Sequence, residues 1–380
     1  MPEICARVCP QERLCESQCI LNSKSEPVCI GAIEKFINEY AFLHGGVDTS
    51  CAEPNGFSIA VIGAGPGGLA CADELVKRGT AVTVFEAQPY AGGLLMGGIP
   101  AFKLDKSIID RRVDVMRQRG VKFQFGVAAG RDVSLTKLLT DFNAVFLGVG
   151  AQKSKSLDVP GAELSGVHQA LAFLIQKNLK NPPPAPAIEV TGKRVVVLGG
   201  GDTAMDCLRT AVRCGAEQAV CLYRRDFENM PGSRKEYFNA LEEGAQFQFL
   251  TAPVAVEGAN GVATQVRCVR MELAEPDANG RRKPRAVKGS EFVVAADIIL
   301  IAYGFDPVPF PEGSDFAQIK LNNWGAFVVD ENQMTSVERV FSGGDAVRGP
   351  SLAVHAIRDA RRAAAGMLKF LNERQPAGVS

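Results

Sequence analysis

The sequence predicts an α/β fold with two Rossmann-like nucleotide-binding domains, one inserted into the other, behind a short helical, cysteine-rich segment. Two glycine-rich loops that follow buried strands, at 63–68 and 199–204, predict the nucleotide-binding domains. Four cysteines within the first twenty residues set the N-terminal segment apart. The predicted boundaries are 1–50 for the cysteine-rich segment, 55–165 with 290–375 for the first domain, and 166–289 for the inserted domain.

Composition excludes several classes of protein. The 380 residues carry 42 Lys and Arg against 42 Asp and Glu, so no global charge would attract nucleic acid or an acidic membrane. The chain starts without a basic, apolar leader, and no apolar run reaches the roughly 20 residues that cross a bilayer. We therefore expect a cytoplasmic protein that binds neither nucleic acid nor membrane.

The first glycine loop has the strand, helix and acidic residue that a dinucleotide site needs. The apolar run 58–62 precedes it, and a second strand at 81–85 ends in an acid, 23 positions after the first glycine. The glycines permit a tight turn, close approach of a pyrophosphate, and helix–strand packing, while the acid accepts hydrogen bonds from a ribose. The alternative is a plain turn. The candidate residues are Gly63, Gly65, Gly67, Gly68 and Glu86.

The second glycine loop differs in the residues after its second strand. Arg224 and Arg225 stand where an NAD site would normally place an acid, and two guanidinium groups suit a 2′-phosphate. The alternative is a solvated basic pair on a loop. The sequence therefore predicts an NADPH site, with Gly199, Gly201, Asp202, Thr203 and Ala204 in its loop.

Two dinucleotide sites in one chain predict that each binds a different cofactor, FAD in the first domain and NADPH in the inserted domain. Apolar runs at 144–148 and 297–304, the second ending in Gly304, bracket the second loop. Residues 340–370 return to the first domain with Gly344 and Asp345, which together with Gly93 would complete an FAD site. Hydride transfer from nicotinamide to flavin requires stacking, not an acid–base pair, so we name no catalytic side chain.

The cysteine-rich segment has the spacing Cys5-x3-Cys9-Pro10-x4-Cys15-x3-Cys19. Four thiolates this close can ligate iron, so the segment indicates an iron–sulfur cluster, with zinc or unligated thiols as alternatives. The cysteines inside the nucleotide-binding domains are isolated from one another, which argues against a disulfide reductase. Electrons would leave the flavin through the N-terminal segment.

Several stretches of this sequence resemble the family of the NADPH-dependent glutamate synthase small chains. The wider family includes the amino-terminal part of dihydropyrimidine dehydrogenase and the bifurcating NADH-dependent ferredoxin:NADP oxidoreductase. The resemblance runs nearly end to end and is carried by the first glycine loop and the strings at 8–16, 98–106, 198–207, 223–226, 229–233, 275–278 and 342–349.

The resemblance implies a defined electron route. NADPH would reduce FAD in this chain, and [4Fe–4S] clusters would pass electrons to a large, FMN-containing iron–sulfur subunit that makes glutamate from glutamine and 2-oxoglutarate. It also implies Cys5, Cys9, Cys15 and Cys19 as cluster ligands, with Glu34 as a non-cysteine ligand. Members of the family carry a further cysteine-rich segment upstream of the position matching Met1. The start is therefore cut or miscalled, or the partner supplies ligands, or the chain holds at most one cluster.

Two other functions fit the same sequence. The chain could be a paralogous electron-input subunit of another reductase, such as dihydropyrimidine dehydrogenase. It could instead be a truncated, cluster-free flavoprotein that acts as a redox sensor or scaffold, which an iron and sulfide assay would distinguish from both enzymes.

Overall fold

Each predicted glycine loop follows a strand rich in β-branched residues, and each of these strands lies inside a parallel sheet. The computed structural model describes residues 1–277, 282–308 and 310–374. Ala278, the last residue of the string 275–278, and position 375, the predicted end of the first domain, lie outside the described residues.

The helices and strands follow one another along the chain as the glycine loops predict. The helices are α1 (Pro2–Val8), α2 (Ile30–Leu43), α3 (Pro66–Val76), α4 (Leu94–Gly97), α5 (Lys106–Gln118), α6 (Leu135–Asp141), α7 (Ala170–Asn178), α8 (Asp202–Arg213), α9 (Arg234–Glu242), α10 (Asp345–Arg348) and α11 (Ala353–Arg374). The strands are β1 (Ser58–Ile62), β2 (Ala81–Glu86), β3 (Lys122–Phe125), β4 (Ala144–Leu147), β5 (Lys153–Ser154), β6 (Val167–Gln169), β7 (Arg194–Leu198), β8 (Gln218–Tyr223), β9 (Gln246–Phe249), β10 (Thr251–Ala259), β11 (Val262–Pro276), β12 (Arg282–Ala286), β13 (Phe292–Ala295), β14 (Ile298–Ile301), β15 (Phe305–Asp306) and β16 (Val340–Ser342).

The first parallel sheet has the strand order β16-β4-β1-β2-β3. Alternate residues of its central strand face opposite sides, as strand geometry requires. Ala60 and Ile62 pack in an apolar core with Phe316 and Phe327, whereas Val61 faces α3. Helix α11 packs against α3 through small residues, which lets the two helices come close. The predicted return of the chain to this sheet at 340–342 is confirmed, because β16 pairs with β4.

The second parallel sheet has the order β6-β14-β7-β8-β9 and is covered on its two faces by different layers. Val195 and Val197 of β7 pack on the helix side, in a core formed with α7 and α8. Val196 and Leu198 pack on the other side, against the antiparallel sheet of β10, β11, β12 and β13. The sequence analysis did not predict this antiparallel layer.

The chain divides into two compact units. The first holds Met1–Met96, Ala101–Lys153 and the described residues from Phe305 onward, and the second holds Gly97–Pro100 and the described residues of Ser154–Gly304. The borders between the two units, at 153/154 and 304/305, lie 12 and 15 residues from the predicted boundaries at 165/166 and 289/290. Strands β13 and β14 pair with β11 and β7 of the second unit, and Leu157 packs in its core. An apolar strand looks the same in the sequence whichever parallel sheet it joins.

The N-terminal segment, predicted as a separate part, belongs to the first unit. Its predicted helix at 32–40 is confirmed as α2, which packs against α1. Three 3₁₀ turns, Gln11–Arg13, Glu16–Gln18 and Ile20–Ser23, follow α1. Helix α1 in turn contacts α5 and α11, with Ile4 almost completely buried. Across the described residues, every helix is too short or too polar to cross a bilayer.

Candidate nucleotide and cluster sites

Close backbone approaches shape the first glycine loop. Gly63 has a φ of +95°, in the left-handed region, and a methyl group there would lie 2.6 Å from the carbonyl oxygen of Gly148. A methyl group at Gly68 would lie only 1.8 Å from the carbonyl oxygen of Gly63. Both positions require glycine, because a side chain at 63 would collide with the backbone after β4 and one at 68 would push α3 away from the loop.

Open space lies in front of Gly65, the N-cap residue of α3. A methyl group on Gly65 would meet no described atom within 4 Å, although Gly93 packs so closely behind that its own methyl would lie 3.0 Å from the Gly65 Cα. A methyl group on Gly67 would lie 3.9 Å from the carbonyl oxygen of Ala356 in α11, at ordinary contact distance. The N–H groups at the start of α3 border this space, and a pyrophosphate fits there chemically.

Glu86 fixes the loop from the end of β2. Its Oε2 accepts a hydrogen bond from the Ala64 N–H at 2.7 Å, and its Oε1 accepts one from the Gln88 N–H at 2.8 Å. The side chain is buried, yet each carboxylate oxygen has a second lone pair that a ribose hydroxyl could use. The carboxylate therefore holds the loop in shape, a role that the sequence analysis did not include, and its contact with ribose remains a prediction.

Asp345 begins α10, directly after the positive-φ residue Gly344, and its Oδ1 accepts a hydrogen bond from the Ser351 N–H at 3.1 Å. Behind this turn lies Asp359 of α11, which is 1% exposed. Its carboxylate accepts a hydrogen bond from the Gly344 N–H at 3.3 Å and two from Arg348, both at 2.6 Å. Neither Arg348 nor Asp359 could be predicted as a site residue from the sequence, because no motif marks them.

The pKa of Asp345 predicts a pH-dependent stability. Burial raises this pKa from 3.8 to about 6, against the opposing effects of the Ser351 hydrogen bond and the Arg348 charge. Since the folded-state pKa exceeds the unfolded one, the protonated carboxyl stabilises the fold below pH 4, and this contribution is lost as the pH rises through 6. Asp345→Asn should therefore raise the free energy of unfolding of flavin-free protein by roughly 2–3 kcal/mol at pH 8. The gain at pH 4 should be close to zero.

Thermal unfolding of flavin-free protein at both pH values checks this expectation. Asp141→Asn, at the exposed end of α6, serves as the control. It should change the free energy of unfolding by the same amount at both pH values. If Asp345→Asn raised the free energy of unfolding equally at pH 4 and pH 8, burial of the charged carboxylate would not be the cause.

The second glycine loop repeats the geometry of the first. Gly199 has a φ of +140°, and a methyl group there would lie 2.4 Å from the Ala302 carbonyl oxygen. A methyl group at Gly200 would lie 2.6 Å from the Tyr223 ring. Gly201, the N-cap residue of α8, faces open space in the same way as Gly65. The two loops therefore offer equivalent unfilled positions to a pyrophosphate.

Loop 226–233, which follows the two arginines, folds back over the second glycine loop. Gly232 donates its N–H to the Gly200 carbonyl at 2.9 Å, and the Tyr223 hydroxyl donates to the Asn229 carbonyl at 2.9 Å. Oδ1 of Asp202 accepts a hydrogen bond from the Ser233 N–H at 2.8 Å. Asp202 thus holds this loop in place, whereas Thr203 and Ala204 lie in the first turn of α8.

Arg224 and Arg225 follow β8, as predicted. Neither forms a salt bridge with any residue in the described part of the chain, and Arg224 is exposed. Burial raises the pKa of Tyr303 to about 12, and the Arg224 charge opposes this shift, which places Arg224 near the phenol. Gly304, next to Tyr303, has a φ of +90° and faces open space. Two guanidinium groups without a salt bridge to a described residue therefore lie at this edge of the second unit.

The cysteine-rich segment brings two of its thiols together. A hydrogen bond between Cys5 and Cys9 lowers the pKa of Cys5 and raises that of Cys9, and the charges of Cys15 and Glu34 also act on Cys9. Burial raises the pKa of Glu34. Cys19 points elsewhere, and its sulfur accepts a hydrogen bond from the Val28 N–H at 3.5 Å.

The thiols of Cys5 and Cys9 suit thiolate-ligated iron, because soft sulfur donors favour it. Among the described residues, however, no group of three or more His, Cys, Asp or Glu side chains is arranged to hold a metal ion. The ligand set Cys5, Cys9, Cys15, Cys19 and Glu34 therefore stays a prediction. All eleven cysteines are free thiols, and those of the nucleotide-binding units form no redox pair.

Comparison with known families defines the class of the protein. Residues 57–360 match the pyridine nucleotide-disulphide oxidoreductase family. Residues 1–45 match the family of dihydropyrimidine dehydrogenase domain II with a 4Fe-4S cluster. The chain is therefore an oxidoreductase of the pyridine nucleotide-disulphide class, extended at its N-terminus by an iron–sulfur domain.

Relatives define the family within this class. The glutamate synthase [NADPH] small chain of Escherichia coli is 46% identical over 98% of this chain and 81% of its own length. The corresponding chain of Azospirillum brasilense is 44% identical over the whole of this chain and 80% of its own length. The chain belongs to the family of the NADPH-dependent glutamate synthase small chains. The predicted family, and with it the cofactor set of FAD, NADPH and a [4Fe–4S] cluster, is confirmed at this level.

Solved structures confirm the predicted α/β fold class. FprA of Mycobacterium tuberculosis, in complex with NADPH, aligns with a TM-score of 0.70 over 84% of this chain and 85% of its own, at 20% identity. Thioredoxin reductase of Lactococcus lactis aligns with a TM-score of 0.60 over 83% of this chain and 99% of its own, at 18% identity. At these identities the likeness shows the fold alone.

Proposed function

We propose that this chain takes a hydride from NADPH onto FAD and sends the electrons through a [4Fe–4S] cluster to a large partner subunit, which makes glutamate from glutamine and 2-oxoglutarate. The observation that carries the proposal is the open space in front of Gly65 and Gly201 in the two glycine loops, one loop beside Glu86 and Asp345, the other beside Arg224 and Arg225. When bound, the flavin would supply the conversion of a two-electron hydride into single electrons.

The chain's own residues bind and orient in this proposal. In the first unit, the N–H groups of α3 would hold the FAD pyrophosphate, Glu86 the adenosine ribose, and Asp345 the ribityl or pyrophosphate region. In the second unit, α8 would hold the NADPH pyrophosphate and the two arginines its 2′-phosphate. Glu86 holds the first glycine loop in shape, and Asp202 holds loop 226–233, because each carboxylate accepts a hydrogen bond from a backbone N–H of that loop.

A partner subunit and a cytoplasmic location belong to the same proposal. One face of α2 exposes Phe36 at 68%, Ile37 at 59% and Tyr40 at 55%, and exposed apolar surfaces of this kind mark protein interfaces. Eleven free thiols without a disulfide support a reducing compartment. The relatives named as glutamate synthase small chains support a large subunit as the partner.

An anaerobic mixing experiment with purified protein tests the proposal. NADPH should bleach the bound flavin faster than NADH does, and the isolated chain should pass electrons to an artificial acceptor without making glutamate. Adding the large subunit from the same source should then allow glutamate formation from glutamine and 2-oxoglutarate. Protein that takes up no flavin, or that is reduced equally fast by both nucleotides, would contradict the proposal.

A second candidate is an electron-input subunit of a different reductase. The NADPH-Fe(3+) oxidoreductase subunit beta of Geobacter sulfurreducens is 36% identical over 98% of this chain and 58% of its own length. Residues 1–45 also match the dihydropyrimidine dehydrogenase domain. Purification from the source cell, followed by identification of the bound large chain, distinguishes the two candidates.

A further inference from the structure

We infer that two carboxylate–arginine contacts clamp the cysteine-rich segment to α5 within the first unit, so that the Cys5 thiol of α1 keeps one fixed position relative to the flavin site. This inference rests on the proposed function and adds positioning residues to it: Glu3, Glu39, Arg111 and Arg112. None of them belongs to the predicted cofactor-binding or metal-ligating set.

The first contact joins α1 to α5. Glu3 is fully buried, and its two carboxylate oxygens accept hydrogen bonds from Nε and Nη2 of Arg112 at 2.6 and 2.9 Å. The Arg112 side chain is 9% exposed. This two-point geometry fixes the direction of both side chains, because the guanidinium plane and the carboxylate plane must coincide.

The second contact joins α2 to the same helix. Arg111 donates to both oxygens of Glu39, at 2.7 and 3.0 Å, and its guanidinium lies 3.7 Å above the ring of Phe42. Arg7 of α1 donates to Glu39 as well, at 2.7 Å, so that one carboxylate links α1, α2 and α5. Arg111 and Arg112 are consecutive, and consecutive residues on a helix point about 100° apart. Helix α5 therefore reaches both helices of the segment at once.

The residues that form these contacts lie on both sides of Cys5 in the sequence. Cys5 lies on α1 between Glu3 and Arg7, and both of these residues are held. Buried ion pairs contribute little net stability compared with apolar packing, but they impose a single geometry. Transfer of an electron between two centres slows steeply as their separation grows. A segment that moved freely would give no constant rate, so the clamp supplies the positional constraint that a relay needs.

Glu3→Gln and Glu39→Gln test the inference separately. Glu3→Gln removes the carboxylate that pairs with the buried Arg112 guanidinium, which should speed amide hydrogen exchange in α1 and α2 by about 100-fold. Exchange in β1 and α3 should stay as in the unmodified protein. Bleaching of bound FAD by NADPH should keep its rate, whereas the subsequent reduction of the cluster should slow. Asp114→Asn, which breaks the exposed Asp114–Arg117 pair on the same helix, is the control and should change neither rate.

If the Glu3→Gln protein does not fold, Glu39→Gln provides the test. Glu39 is only partly buried, so its replacement should be tolerated by the fold. Unchanged exchange in α1 and α2, or unchanged cluster reduction after exchange has risen, would overturn the inference. Failure of the proposed function has a different signature, since unmodified protein would then show no bleaching by NADPH while the exchange comparison would still report on the clamp.

Discussion

Replacing both Arg224 and Arg225 by glutamine should lower the preference for NADPH over NADH by roughly 100-fold. A hydrogen bond to a charged group contributes about 1.5–3 kcal/mol, and the two arginines have no salt bridge with a described residue that would compete for them. The loss should fall on NADPH alone, because NADH lacks the 2′-phosphate. The measurement is kcat/KM for anaerobic flavin reduction with each nucleotide.

Arg267→Gln is the matched control for the double variant. Arg267 is an exposed arginine of the same unit that pairs with Glu257 at 3.1 Å, so its loss should leave both nucleotides unaffected. If the double variant kept the ratio of the unmodified protein, the 2′-phosphate would have to bind elsewhere.

Gly68→Ala should prevent the first unit from binding FAD by disrupting the protein itself. The added methyl group would lie 1.8 Å from the Gly63 carbonyl oxygen, which is backbone and cannot rotate away. We expect a loss of about 3 kcal/mol or more in the free energy of unfolding, at the upper end of overpacking effects. Thermal unfolding of flavin-free protein and flavin titration measure the two consequences.

Gly65→Ala separates packing from ligand binding. The methyl group there meets no described atom within 4 Å, so the flavin-free protein should lose about 1 kcal/mol or less, from the weaker helix cap. Its affinity for FAD should nevertheless fall at least tenfold, because the methyl occupies the space assigned to the pyrophosphate. A Gly65→Ala protein with unchanged FAD affinity would place the cofactor elsewhere.

Local sequence patterns were sufficient to predict both nucleotide-binding units. The strand, glycine loop, helix and second strand lie within about thirty consecutive residues in each unit, and the physics of a tight turn restricts Gly63 and Gly199 to glycine. The arginine pair after β8 was equally visible, because its position in the motif is fixed.

The unit boundaries could not be predicted in the same way. Ile298–Ile301 is a short apolar run, and burial on both faces of a parallel sheet demands the same residues in either unit. Its partner β7 lies about one hundred residues away, and pairing over that distance leaves no local pattern. The antiparallel sheet was missed because β11 alternates irregularly between buried and exposed positions.

Contacts between side chains that lie far apart in the sequence could not be predicted either. Glu3 and Arg112 are 109 positions apart, and each alone looks like an ordinary surface charge. Asp359 reads as a polar residue within an alanine-rich helix, although it is almost completely buried. Asp202 belongs to the predicted cofactor loop, and the sequence gives no sign that its Oδ1 also accepts a hydrogen bond from the backbone of loop 226–233. Such roles depend on the assembled structure.

The pairing of β16 with β4 has a consequence for synthesis on the ribosome. The Ser342 hydroxyl donates a hydrogen bond to the Leu147 carbonyl across 195 positions, and Ser154–Gly304, the main part of the second unit, is translated between them. The second unit can therefore fold while the β4 edge of the first sheet is still unpaired, and an open edge of this kind invites association with other nascent chains. Any slowing of translation between Gly304 and Val340 would prolong that exposure.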